Sequence, residues 1–190
     1  MSFLPKNYEQ PSGKSNYMKL EDGDNKFRVL GSAIVGWEWW TEDKEGKRKP
    51  NRVKSQNDIS DSDLDEINHQ EAATNRTQLK HFWAFPVLDR KDKNIKILEI
   101  TQSSIQSAIN KHVKNEDWGD PKDYDFTITR EGEKLNTKYS VIASPKTKLD
   151  EGVAQAYKDM NINLDALYNS DDPFAANIDL DEIDDNDCSR

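Results

Sequence analysis

The feature that most limits how this chain can fold is where its net charge sits. The 190 residues carry 27 Lys+Arg against 36 Asp+Glu, a formal net charge of −9. Residues 151–190 hold eleven of the acids and two of the basic residues, so they account for the whole −9, and residues 1–150 are neutral with 25 of each sign. Within 171–190, Asp171, Asp172, Asp179, Asp181, Glu182, Asp184, Asp185 and Asp187 face only Arg190. Like charges at that density repel and keep a segment extended, as in acidic interaction tails. The expectation is a neutral folded body and a disordered polyanionic tail over 149–190. A short helix fits at 149–168, where Val153, Ala156, Tyr157 and Met160 fall at helical spacing. A neutral body joined to its own polyanion suggests a protein that binds a polyanion and is regulated by an imitation of one.

The hydrophobic fraction is 34% and the charged fraction 33%, so the core is modest and the chain reads as one domain with appendages. No apolar run approaches the ~18–20 residues of a membrane helix. Met1-Ser2-Phe3-Leu4-Pro5-Lys6 is too short and polar for a signal peptide. The single Cys188 lies in the tail and forms no internal disulfide, which fits a reducing, cytoplasmic setting. The sequon Asn75-Arg76-Thr77 reads as chance without a secretion signal.

Residues 1–25 are polar and turn-rich and read as a flexible arm; the body runs over 26–148. It opens with the alternation Lys26-Phe27-Arg28-Val29, which continues through Ile34–Thr41, with Gly31 and Gly36 where a strand bends. Residues 42–78 are hydrophilic and aperiodic, and read as one long loop, basic first and acidic after. Leu79–Leu88 and Ile95–Ile100 form a strand pair. Ile105, Ala108, Ile109, His112 and Val113 set a helix over 101–114, with Ser103 and Gln106 as a capping box. Tyr124–Thr129 and Lys138–Ile142 pair across Glu131-Gly132. If the long first stretch is one bent strand, there are five strands with a helix between the third and fourth. That order predicts a mainly β fold, a five-stranded Greek-key barrel of the oligonucleotide-binding (OB) type. A two-sheet sandwich is the alternative.

Two aromatic runs carry the functional signal. Trp37 and Trp39 share one strand face and Trp40 the other; His81, Trp83 and Phe85 share one face and Phe82 the other. At least one ring of each run is expected to leave the core. An outward ring on a barrel strand is a base-stacking platform with little sequence preference, although any single ring can equally be core. Lys47, Arg48, Lys49, Arg52 and Lys54 in the loop, with Arg28, Lys80, Lys96 and Lys138 on strands, would line a groove that tracks a phosphate backbone. The bland reading of those cations is a solvated loop.

Other chemistries find no support. Asp61-Ser62-Asp63-Leu64-Asp65 starts like a calcium loop, but Glu66 replaces the required glycine and Ala72 the bidentate acid. His69, His81 and His112 lack ligand spacing, so no metal or other cofactor is expected. Nucleotide-binding glycine loops and nucleophile elbows are absent, and the paired acids sit in loops, which argues against an enzyme. In the tail, Asp171, Asp172, Phe174, Leu180 and Ile183 alternate acid with apolar residues, the pattern of a docking segment that orders on its partner.

Between about Asn16 and Pro145 the chain resembles the single-stranded DNA-binding proteins of bacteriophages. The resemblance lies in Asn16-Tyr17-Met18-Lys19-Leu20, Ile34-Val35-Gly36-Trp37-Glu38-Trp39-Trp40, Lys80-His81-Phe82-Trp83-Ala84-Phe85-Pro86, Leu98-Glu99-Ile100-Thr101-Gln102 and Asp117-Trp118-Gly119-Asp120-Pro121. It implies an OB barrel that coats single strands in phage replication, recombination or repair within the host cytoplasm. It also implies an acidic tail that recruits partner proteins and occupies the groove when DNA is absent. Bacterial relatives end in an acidic tip closing with Pro-Phe, to which Asp172-Pro173-Phe174 is similar, although here Phe174 is internal. The competing expectation is an acidic adaptor or DNA mimic that binds proteins and no DNA.

Overall fold

The computed structural model describes residues 15–42 and 44–175. The fold is mainly β, with eight strands and three α-helices among those residues. The chain divides into two compact units. Of the described residues, the first takes 15–33 together with Phe82–Lys148; the second takes Ile34–His81 and 149–175.

In the first unit, β1 (Tyr17–Met18), β2 (Gly23–Val29), β5 (Lys80–Asp89), β6 (Ile95–Ile100), β7 (Asp125–Glu131) and β8 (Lys138–Ala143) pair in the order β1-β6-β5-β2-β7-β8. β1 runs parallel to β6 and the other pairs are antiparallel. The path is open, with β1 and β8 as its ends. Phe27, Val29, Phe85, Val87, Leu98, Ile100, Phe126 and Ile128 form the core with Ile105 and Ile109 of α2 (Ser103–Val113). α2 lacks the expected Ser103 cap: Gln102 is its N-cap, and the buried Gln106 carboxamide instead donates to the Ile100 carbonyl at 2.9 Å. Gly132 turns β7 into β8 with φ +83°, and a Cβ there would stand 2.5 Å from the Asn136 carbonyl oxygen, so only glycine fits.

In the second unit, β3 (Ile34–Glu42) and β4 (Arg48–Val53) form an antiparallel hairpin, with Trp37 opposite Val53 and Glu42 opposite Arg48. Trp39 packs with Ile59 and with Ile67 of α1 (Asp61–Thr74), joined by Val53, Leu64 and Leu79. The Ser60 hydroxyl accepts from the Asp63 amide at 3.2 Å, acids fill the first turn of α1, and Asn75 ends it in the left-handed conformation (φ 52°). The stretch 42–78 is therefore a strand and a helix rather than one loop. The expected bent strand is two strands, β2 and β3, interrupted at Leu30–Ala33. Residues from Leu149 to Ala175 carry α3 (Glu151–Asp159), the short helix expected within 149–168, and a 3-10 helix over Leu164–Asn169, so this part of the tail is folded. Leu180 and Ile183 lie outside the described residues. No helix among the described residues is long and apolar enough to cross a membrane.

Candidate nucleic-acid interface

Strand alternation sets the chemistry of the β3–β4 hairpin. Trp39 is buried against α1, while Trp40, one residue on, turns to the opposite face and keeps 39% of its surface exposed. The Arg48 guanidinium stands 5.7 Å from the Trp40 ring centroid, so one cation and one ring share an outward patch. On the same face, buried Glu38 fixes both neighbours. Its carboxylate accepts from Trp40 Nε1 at 3.1 Å and from Arg52 Nε at 2.8 Å. Arg52 is thus held at 7% side-chain exposure as a positioning group, while Arg48, Lys47 and Lys49 remain on the surface. Half-buried Trp37 meets the His81 ring edge-on at 5.2 Å.

The chain returns to this hairpin from its C-terminal side. Lys54 Nζ lies 3.0 Å from Asp165 and 5.0 Å from the Tyr168 ring centroid. The Tyr168 hydroxyl donates to the Val35 carbonyl at 2.7 Å, and the Ser170 hydroxyl donates to the Pro50 carbonyl at 3.3 Å. The Asp165 carboxylate raises the Lys54 pKa above its ordinary value. The start of the acidic segment thus lies along the edge of the basic hairpin, an acid on a cation and a ring beside it.

The other expected contacts divide by burial. Arg28 is fully buried: Nε donates to Asp125 at 2.6 Å, and its other nitrogens reach the Thr147 carbonyl at 2.9 Å and hydroxyl at 2.6 Å. It clamps the end of the first unit and presents no charge to solvent. Burial pushes the Asp125 carboxyl up, but Arg90 and Arg28 outweigh it and hold it below the usual carboxylate range. Lys96 is likewise spent within the fold, on Asp89 at 2.8 Å and Asp92 at 2.6 Å. Burial favours protonating Asp92, yet Lys96 and Asn94 prevail and bring its pKa to about 2. Phe82 and Phe85 are core residues at 0% and 4% exposure, because β5 is covered on both faces. Trp83 is half-buried; Lys80 and Lys138 are exposed, on β5 and β8. Of the tail residues, Asp171 and Asp172 are exposed and Phe174 is half-buried. Among the described residues, no group of three or more His, Cys, Asp or Glu is placed to hold a metal ion. Sequence reasoning missed Tyr168 and Asp165, which carry no periodic signal, and Glu38, whose two bonds are visible only in the hairpin register.

Compared with known proteins, the chain is 26% identical over 156 residues to the "Probable ssDNA-binding protein" of Escherichia phage T5. The match covers 73% of this chain and 60% of that protein, so the chain spans less than two thirds of the relative's length. No family model matches the chain. No solved structure matches it either.

Proposed function

We propose that this chain binds single-stranded DNA with little sequence preference and catalyses no reaction. The observation that carries the reading is the β3–β4 hairpin, where Trp40 faces outward under the Arg48 guanidinium and exposed Lys47 and Lys49 flank Arg48 along the chain. A ring that stacks any base beside cations that neutralise phosphates is what sequence-tolerant single-strand binding requires. The name of the phage T5 relative supports the same ligand.

The first unit supports an OB-type reading through its chain order. Apart from two-residue β1, it has five strands, β2, β5, β6, β7 and β8, with α2 between the third and fourth. OB barrels are partly open, and the loop after their first strand contributes to binding. In this chain that connection, from Val29 to Lys80, contains the basic hairpin. The protein would serve phage replication, recombination or repair in the host cytoplasm. The acidic residues around Asp171, Asp172 and Phe174, with Leu180 and Ile183 beyond them, would compete for the hairpin and dock partner proteins. A tethered anion is displaced by salt or by DNA itself.

The test is tryptophan fluorescence during titration with an unstructured single-stranded oligonucleotide, repeated with duplex and at raised salt. Strong quenching by the single strand, weak quenching by duplex and loss with salt are expected. A flat signal in all three would overturn the reading and favour a protein-binding adaptor that acts through the acidic tail.

A further inference from the structure

The two ends of the strand path in the first unit border a crevice of about 340 Å³. Tyr17 and Lys19 line it from β1 and the residue after it, Arg130 and Tyr139 from β7 and β8, and Glu99 and Gln102 from the end of β6. Arg130 and Tyr139 are Cα partners across the β7–β8 pair, so their side chains leave the sheet on the same face. Both tyrosines are half-buried, and Tyr139 packs against the core, which fixes its ring. Lys19 is exposed and makes no ion pair among the described residues.

Arg130 is only partly satisfied. Its guanidinium donates to the Leu20 carbonyl at 3.3 Å and lies 3.5 Å from Asp22, while its buried Nε has no acceptor. A buried donor without an acceptor is costly, so this wall of the crevice is incomplete as it stands. The Gln102 carboxamide takes the Thr101 amide on its oxygen at 3.2 Å and keeps its nitrogen for another acceptor. Two rings, a guanidinium, an ammonium and a carboxamide around one cavity are the groups that hold a base and a phosphate together.

We infer that this crevice takes one nucleotide of a bound single strand, with the base against Tyr17 and Tyr139 and the phosphate on Lys19 and Arg130. The inference rests on the reading that the chain binds single-stranded DNA, and it adds a second contact region to the hairpin. An acidic peptide would use the same cations, but it has no use for the two half-buried tyrosine rings beside them. A base stacks on such rings, which favours the nucleotide.

The experiment is photo-crosslinking of the full chain to an oligonucleotide carrying 5-iodouracil, mapped by peptide mass spectrometry. Adducts are expected on Tyr17 or Tyr139. Tyr139→Ala should weaken binding about tenfold, the loss of one stacked base, while Tyr139→Phe keeps it. Because Tyr139 also supports the core, Lys19→Glu provides a surface variant: it should weaken binding and lower the salt slope without moving the melting midpoint. Adducts confined to the Trp37–Val53 hairpin, with Lys19→Glu binding as wild type, would overturn the crevice and leave DNA binding intact. Protection of Tyr17 and Tyr139 by a peptide of residues 178–187, and not by oligonucleotide, would overturn it in favour of a peptide site. An unmodified chain that binds no single strand at all defeats the functional reading itself, a result separate from both.

Discussion

The two units use strand arginines in opposite ways. Arg28 in β2 is fully buried and surrounded by Asp125 and Thr147, whereas Arg48 in β4 stays exposed over Trp40. Arg52, four residues along β4 from Arg48 and on the same face, is intermediate, held by Glu38 across the β3–β4 pair. What sets an arginine's task is the carboxylate facing it, and that partner is distant in sequence. The cores differ in the same sense. Among the described residues, twelve buried residues form the main cluster of the first unit and three that of the second, so the described part of the second unit has less apolar burial to resist opening.

The largest effect should come from removing the carboxylate that holds the first unit's cations. Asp125→Asn leaves Arg28 buried without its counter-charge and should cost about 3–5 kcal/mol of stability. Urea unfolding followed by circular dichroism measures this. The pH dependence follows from the sign of the shift. Because the folded pKa of Asp125 is depressed, its contribution is present above the unfolded value of about 3.9 and disappears as pH falls through the folded pKa. The variant should therefore lose less stability on acidification than the parent. A variant as stable as the parent would mean that Arg28 finds enough compensation in Thr147 and the Lys122 carbonyl, and the contrast between the units would narrow.

Next in size is a comparison of two truncations. Ending the chain after Lys148 removes α3, the 3-10 helix and buried Leu167, all parts of the second unit. Loss of the Leu167 side chain's burial alone should cost roughly 2–5 kcal/mol. Ending it after Ala175 removes six of the eleven acids of 151–190 and none of these elements. The shorter cut should leave the melting midpoint in place and strengthen single-strand binding at low salt. Equal destabilisation by both would show that the acidic residues beyond Ala175 are structural.

Smaller again is Trp40→Ala. With 39% of its surface exposed, the ring contributes little to the core, and its removal should lower oligonucleotide affinity by about 1–3 kcal/mol with the fold retained. Trp39→Ala, one residue away, should instead destabilise the second unit by about 3–5 kcal/mol, because that indole is buried against Ile59 and Ile67. The pair separates the two faces of one strand. If Trp40→Ala binds as tightly as the parent, the hairpin is not the stacking surface.

These contrasts also mark how far the sequence could be read. β5, β6, β7, β8 and α2 follow hydrophobic periodicity and lie within a residue or two of the expected segments, because each packs one regular face on the main core. β4 and α1 left no such trace. Arg48–Val53 offers one apolar residue to the core, and of the fourteen residues of α1 only Ile67 is buried. Their order comes from Ser60, Asn75 and the hairpin register rather than from a hydrophobic stripe. Alternation put Trp40 on the face opposite Trp39 without saying which face meets solvent, and it gave no sign that Phe82 and Phe85 are both buried, because it presumes one solvent face and β5 has none there. The cations were the least legible of all. Arg28, Arg48 and Lys96 look alike in the sequence, and only Asp125, Asp89 and Asp92, brought in from other strands and turns, decide which of them remains available.

The smallest effect tests whether an ion pair in the second unit holds structure, as in the first, or occupies a cation. Lys54 and Asp165 are 3.0 Å apart with side chains 68% and 66% exposed, and water screens such a pair heavily. The neighbouring Tyr168–Val35 and Ser170–Pro50 hydrogen bonds hold the segment independently. Asp165→Asn should therefore leave the melting midpoint unchanged. It should also free Lys54 for a phosphate, steepening the salt dependence of single-strand binding by about 0.7 in the log–log slope. Lys54→Ala should keep the parent's slope, because a lysine already covered by Asp165 contributes no released counterion. If both variants keep the parent's slope, Lys54 lies off the DNA path and the interface ends within β4. If Asp165→Asn lowers the midpoint, the exposed pair is structural after all, and the difference between the two units is one of degree.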